Sequence, residues 1–259
     1  MLIKRQLVWG VCFAAAIGAL YMEAMGENDK PGSKFIETRE IKDLVARVER
    51  GEADASILNR CPRSGFGILR MLVQISGSLP LVERLLKARA NPDYYDGFGV
   101  PLDNAGSKQN IELLLRHGAQ LSKSSRCMSA VITRYRNQVR ENRVSEVALV
   151  TEALEALQAL EQGGTKYLTS SNYANHPYAE VVERSSLSRV SRERLLSFFV
   201  QHGCDLDAPI TKLLDVTVRQ YFESDPEYRP YLAFLQREHS LIASASAGAG
   251  ACAGAGTAG

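Results

Sequence analysis

A chain of 259 residues with 45% hydrophobic residues is long enough and apolar enough to bury a core of its own. With 31 basic against 29 acidic residues it has no global field that would hold a polyanion, so nucleic acid is not an expected partner.

At the start, Lys4 and Arg5 precede an apolar run from Leu7 to Leu20, followed by the small residues Ala24 and Gly26 and then by Glu27-Asn28-Asp29-Lys30. Charge, apolar run and small residues in that order read as an export signal over 1–26, with cleavage after Gly26. An uncleaved membrane anchor is the second reading, and would attach the protein to a membrane, although the run is shorter than the ~20 residues of a relaxed span. A buried first helix is the third. The expected location is exported, either periplasmic or membrane-anchored, in a bacterial envelope. Pro31 and Gly32 break regular structure in a linker over 27–34, and the folded part is expected from Phe35.

Five helix ends can be overlaid by their closing residues: Val48-Glu49-Arg50-Gly51, Leu86-Lys87-Ala88-Arg89, Leu115-Arg116-His117-Gly118, Leu160-Glu161-Gln162-Gly163 and Val200-Gln201-His202-Gly203. Four close on glycine, the residue that enters the left-handed turn without a Cβ penalty; Arg89 is the exception. An apolar stripe at helical spacing precedes each end, as in Ile41, Leu44, Val45, Val48 and in Leu195, Leu196, Phe199, Val200. His117 and His202 share the place just before the closing glycine, where an imidazole can interact with the helix end. Recurrence of this kind predicts a stack of helical hairpins.

The segments Val48 to Asp54, Leu85-Leu86 with Ala90-Asn91-Pro92-Asp93, Leu113 to Ala119 and Phe198 to Asp207 resemble the second helix and exit of the ankyrin repeat. Asp96-Gly97-Phe98-Gly99-Val100-Pro101-Leu102 with Ala105 resembles its turn and first-helix start, Val100-Pro101-Leu102-Asp103 standing where the family has Thr-Pro-Leu-His. The resemblance implies an all-α solenoid of about five stacked hairpins over 35–240 whose output is binding another protein. The closing positions 51, 89, 118, 163 and 203 are unevenly spaced. The short interval after Arg89 implies a first helix trimmed after Ala105, and the long one holds 134–143 as an insertion or extended helix. A different helical-pair solenoid is the alternative architecture.

Three stretches are candidates for contact with that partner. Tyr94, Tyr95 and Phe98 stand at an expected turn tip, where exposed aromatics give contact area at small rotamer cost; the competing reading folds them back on the adjacent repeat. Arg134-Tyr135-Arg136, extended by Arg140 and Arg143, could meet an acidic protein surface or anionic lipid, or be a solvated helix face. The connection 167–178, with Tyr167, Tyr173 and Tyr178, reads as an exposed loop that could also touch the partner.

No serine elbow, phosphate-cradling loop or zinc pair occurs, so the expectation is a non-enzyme with no cofactor and no metal. Cys61, Cys127, Cys204 and Cys252 have no zinc spacing; the first three read as small core residues or, in an oxidising compartment, as material for a bridge, and Cys252 lies in the tail, where a cross-link between chains is the alternative. The tail 241–259, nearly all alanine, serine and glycine from Ala243, lacks the apolar bulk to fold and is expected to be disordered. The resulting expectation is an exported protein-binding module. An effector delivered into a host cell, binding host proteins, is the alternative.

Overall fold

A computed structural model describes residues 38–61, 65–75, 77–124, 126–140, 145–164, 176–182, 186–211 and 214–252. The leader expected over 1–26, the linker over 27–34, Arg143 and residues 165–175 lie outside the described residues. The chain divides into two compact units, 1–43 and 44–259; residues 38–43 are all that is described of the first.

The described chain is mostly helical. Helix α1 spans Thr38–Glu49, α2 Ile68–Leu72, α3 Leu79–Lys87, α4 Lys108–Arg116 and α5 Cys127–Arg140. They are followed by α6 Glu146–Gln162, α7 Pro177–Val182, α8 Arg189–Gln201, α9 Val218–Ser224 and α10 Arg229–Cys252. Single 3₁₀ turns form at Ala55–Leu58, Pro101–Asn104 and Leu121–Lys123. The all-helical expectation missed one short antiparallel pair, β1 Pro209–Thr211 with β2 Leu214–Thr217.

Local chemistry explains where these helices start. The Ser107 hydroxyl accepts from the Asn110 N–H at the start of α4, Ser188 does the same for Ser191 at α8, and Thr217 and Gln220 cap α9 reciprocally. The apolar stripes then turn inward: Val82, Leu85, Ile111, Leu114, Leu157, Leu160, Leu196 and Phe199 are all buried. Each such side chain contributes about 1.5–3 kcal/mol.

Packing within the second unit runs in two successions. Helices α3, α4, α6, α8 and α10 each contact the next, and so do α2, the Pro101–Asn104 turn, α5 and α7. Members of the two successions pair as α2 with α3, the Pro101–Asn104 turn with α4, α5 with α6, and α7 with α8. The trimmed first helix after Arg89 is that 3₁₀ turn. Arg134 packs closely against Gly106 just after this turn: a Cβ on Gly106 would meet the Arg134 Cδ at 2.6 Å. The long interval holds an extended α5 of 14 residues.

Four helix exits share one hydrogen-bond pattern. The left-handed residue donates to the carbonyl three back, and the next residue donates to the carbonyl five back: Gly51 to Val48 and Glu52 to Arg47; Arg89 to Leu86 and Ala90 to Leu85; Gly118 to Leu115 and Ala119 to Leu114; Gly203 to Val200 and Cys204 to Phe199. Their φ angles are 73°, 67°, 91° and 78°. Arg89 therefore adopts the glycine conformation without being glycine. At α6 the overlay was off by one. Gly164 carries the positive φ of 93°, and Gly163 has φ −73°. Gly163 is small for another reason: a Cβ there would come within 2.8 Å of Leu115 and Leu121.

Of the tail expected to be disordered over 241–259, residues 241–252 continue α10, and 253–259 lie outside the described residues. Alanine has the best intrinsic helix propensity, and the segment extends a helix already nucleated by packing at Tyr231, Leu232 and Leu235. Residues 241–245 are exposed, so that stretch of the continuation adds nothing to the core. Among the described residues no helix is long and apolar enough to cross a membrane. Cys61, Cys127 and Cys204 are buried in the core and are not bridged to one another.

Candidate functional site

The expected tip at 94–99 is a turn organised by one carboxylate. Asp96 Oδ1 accepts from the Phe98 and Gly99 N–H groups, and Asp96 Oδ2 accepts from the Gly67 N–H at 2.8 Å and from Arg70 Nε at 2.7 Å. Gly97, with φ 94°, allows the chain to reverse. The Arg70 and Asp96 side chains are 7% and 0% exposed. Burial pushes the Asp96 carboxyl up, but the bonds from Gly67, Arg70 and Phe98 outweigh it and hold the group below the usual carboxylate range.

This turn presents two large aromatics. Tyr95 is 66% and Phe98 54% exposed. The Tyr95 hydroxyl donates to the Gly97 carbonyl, so the ring is tied to its own turn. Phe98 lies 5.1 Å from Phe66, and the Arg70 guanidinium sits 5.8 Å and 5.7 Å from the two ring centres. The residues of the tip differ in burial. Tyr94 folds back, half-buried beside Gly67, while Tyr95 and Phe98 stay outward.

Two further carboxylates fix the neighbouring connections. Asp103 accepts from the Val100 N–H, the Ser124 hydroxyl and the Arg126 N–H. It therefore joins its own turn to the next connection. Asp93 Oδ1 accepts from the Gln120 N–H, and its other oxygen pairs with Lys123 at 3.0 Å. Asn59 bonds the Asn91 N–H in the same manner. Both acceptors take the N–H two residues beyond a left-handed exit residue, Arg89 or Gly118.

The second candidate stretch is corrected. Tyr135 is 4% exposed and faces the core with Val131 and Ile132, its phenol pushed up by burial to about 12. It cannot contact a partner. Arg134 is half-buried against Gly106, with its Nε buried and unpaired, so it is a packing residue. Arg136 is partly exposed and Arg140 exposed, with the uncharged Asn137, Gln138 and Val139 between them.

The third stretch is corrected where it is described, since His176, Pro177 and Tyr178 are buried. His176 caps α7, its Nδ1 accepting from the Tyr178 N–H, and burial pushes its imidazole down to about 4. The Tyr178 hydroxyl donates to the Cys204 carbonyl and lies 3.3 Å from His239 Nε2. His239 lines a cleft of about 460 Å³ with Asp205, Asp207, Arg219 and Gln236. Arg219 forks onto Asp207 at 2.7 and 3.0 Å, so the main charges of this cleft are spent on each other. Burial lowers the His239 pKa, and Asp205 opposes that shift.

His202 fills the expected role at a helix end: its Nδ1 lies 2.7 Å from the Phe198 carbonyl and its Nε2 2.7 Å from Glu161. Among the described residues no cluster of three histidine, cysteine or acidic side chains could hold a metal.

Phe66 and Arg70, four apart with Arg70 inside α2, escaped attention in the sequence, and Asp96 was read there only as part of its turn. Comparison with protein-family models, with curated proteins and with solved structures finds no match for this chain.

Proposed function

We propose that this chain is an exported binding protein, a solenoid of about five helical hairpins of ankyrin type that holds another protein on its connection tips. The Tyr95–Phe98 tip carries the reading. Two exposed aromatics stand on a turn immobilised by a buried carboxylate, so contact area is offered with little entropy left to lose. The recurrent left-handed exits and the two successions of neighbour contacts support the solenoid. The charged, then apolar, then small-residue order of residues 1–26 supports export.

The test is photo-crosslinking from position 95 in the producing cell, with Tyr95→Ala/Phe98→Ala as the affinity control and the mature N-terminus sequenced from each fraction. Expected are a start near Glu27 outside the cytoplasm and one dominant adduct. Affinity capture of that partner should fail in the double variant while the urea midpoint moves by less than about 1 kcal/mol equivalent. Full capture by the double variant overturns the tip assignment. An intact Met1 in soluble cytoplasm overturns export.

A further inference from the structure

The proposed binding reading leaves the partner's chemistry open, and the charges around the tip address it. Three adjoining connections are joined by direct bonds: 59–67 meets 94–99 through Gly67–Asp96 and Phe66–Phe98, and 91–93 meets 120–123 through Asp93 with Gln120 and Lys123. Asp103 ties the same turn to Arg126.

On this joined surface the two signs of charge have different fates. The carboxylates are turned inward: Asp96 is 0% exposed at its side chain, Asp93 7%, and Asp103 is buried, each accepting backbone N–H groups. The cations are turned outward: Arg60, Lys123 and Arg126 are exposed, Lys123 while it pairs with Asp93 and Arg60 while its Nε donates to the Gly65 carbonyl. Among the described residues of the preceding connection two exposed acids offset them, Asp54, which accepts from the Ser56 N–H, and Glu52, which is paired with Arg50. A chain with nearly balanced charge thus shows, around Tyr95 and Phe98, a local surface that is aromatic and positive.

The geometry points to an acidic polypeptide segment carrying an aromatic or aliphatic anchor as the occupant of this surface. The anchor lies against Tyr95 and Phe98, and its flanking carboxylates face Arg60, Lys123 and Arg126. This inference rests on the tip being the binding surface. It goes further in fixing the sign of the partner. Because these cations are exposed, their attraction is screened over about 10 Å at 0.1 M salt, so affinity falls as salt rises.

The experiment selects a random dodecapeptide display library on the full chain, then measures selected peptides against three variants and against phosphatidylserine vesicles. One variant is Arg60→Gln/Lys123→Gln/Arg126→Gln, one is Arg60→Lys/Arg126→Lys, and one is Tyr95→Ala/Phe98→Ala; circular dichroism and urea midpoints check folding of each. Expected is enrichment of acidic peptides with an aromatic or aliphatic residue. Their affinity should drop about tenfold or more in the glutamine variant, mainly through slower association, and persist in the lysine variant. Enriched peptides without acidic residues that still need Tyr95 and Phe98 overturn the charge inference and leave the tip reading standing. Enriched peptides indifferent to Tyr95 and Phe98 overturn both, as does a selection that enriches nothing. Vesicle binding lost in the glutamine variant, with no acidic peptide enriched, replaces the polypeptide by an anionic membrane surface and overturns the inference.

Discussion

Arg70 and Asp96 form an ion pair at 2.7 Å, 26 residues apart in the chain, with both side chains shut off from solvent and the guanidinium beneath Phe66 and Phe98. A pair this buried is costly to break from one side, because the remaining charge has no water to turn to. Asp96→Asn is expected to destabilise the protein by about 3–5 kcal/mol in urea unfolding. Arg70→Met/Asp96→Leu should cost clearly less than the sum of the two single changes. Additive costs would show that the two side chains do not act as a pair.

The Asp96 carboxyl is held below its ordinary value in the folded state. A depressed carboxyl contributes stability that is present above its unfolded pKa of about 3.9 and is lost as pH falls through the folded value. In Asp96→Asn the acid limb of the stability curve, below about pH 4, should flatten relative to the unsubstituted protein.

His176 gives a second pH window. Its folded value of about 4 lies below the ordinary 6.5, so the unfolded chain binds the extra proton between those values. Stability is present above pH 6.5 and should fall by about 3 kcal/mol on acidification to pH 4. His176→Asn keeps a side-chain acceptor for the Tyr178 N–H and removes the titration, so its urea midpoint should vary less over that window. An unchanged slope would assign the loss to other groups.

Arg89 sits at φ 67°, in the conformation Gly51, Gly118 and Gly203 adopt at the other exits. Arg89→Gly is expected to stabilise by about 0.5–1 kcal/mol, the relief of the Cβ exceeding the added freedom of the unfolded chain. Gly118→Ala should cost about 1 kcal/mol for backbone reasons alone, since a Cβ there meets nothing within 4 Å. Thermal melts of the two variants should move in opposite directions.

Gly106 is a packing glycine. A Cβ would lie 2.6 Å from Arg134 Cδ, 2.8 Å from its Cβ and 3.1 Å from the Ala130 carbonyl. Gly106→Ala should destabilise by about 1–3 kcal/mol, and Arg134→Ala should not rescue it fully because the backbone carbonyl remains. Tyr135→Ala, at the buried neighbour, should cost about 3–5 kcal/mol, as a core aromatic and not as a surface contact.

Helix ends were legible in the sequence because their demands are local. A left-handed residue after an apolar stripe is a property of a few consecutive positions, and the overlay at Gly51, Gly118 and Gly203 needed no knowledge of the rest of the chain. Even Arg89 was located by that logic, although its residue type breaks it. The trimmed first helix could be read from spacing for the same reason, since a chain with fewer residues between two exits has less to coil. Tyr135 was within reach as well: it stands four residues after Val131, on one helix face, and periodicity carries more weight than its basic neighbours.

What the tertiary structure alone decided is which polar groups face inward. Asp93, Asp96 and Asp103 look like solvated turn residues in a sequence, yet each finds N–H donors brought by a connection remote in the chain, and those donors determine its burial. The same holds for His176, whose surroundings come from residues as distant as Ile210. Conformational preference is carried by each residue's own backbone and neighbours. Desolvation is set by whichever groups the folded chain places nearby, and that is why the exits and the aromatic tip could be read in advance while the inward-facing carboxylates beneath that tip could not.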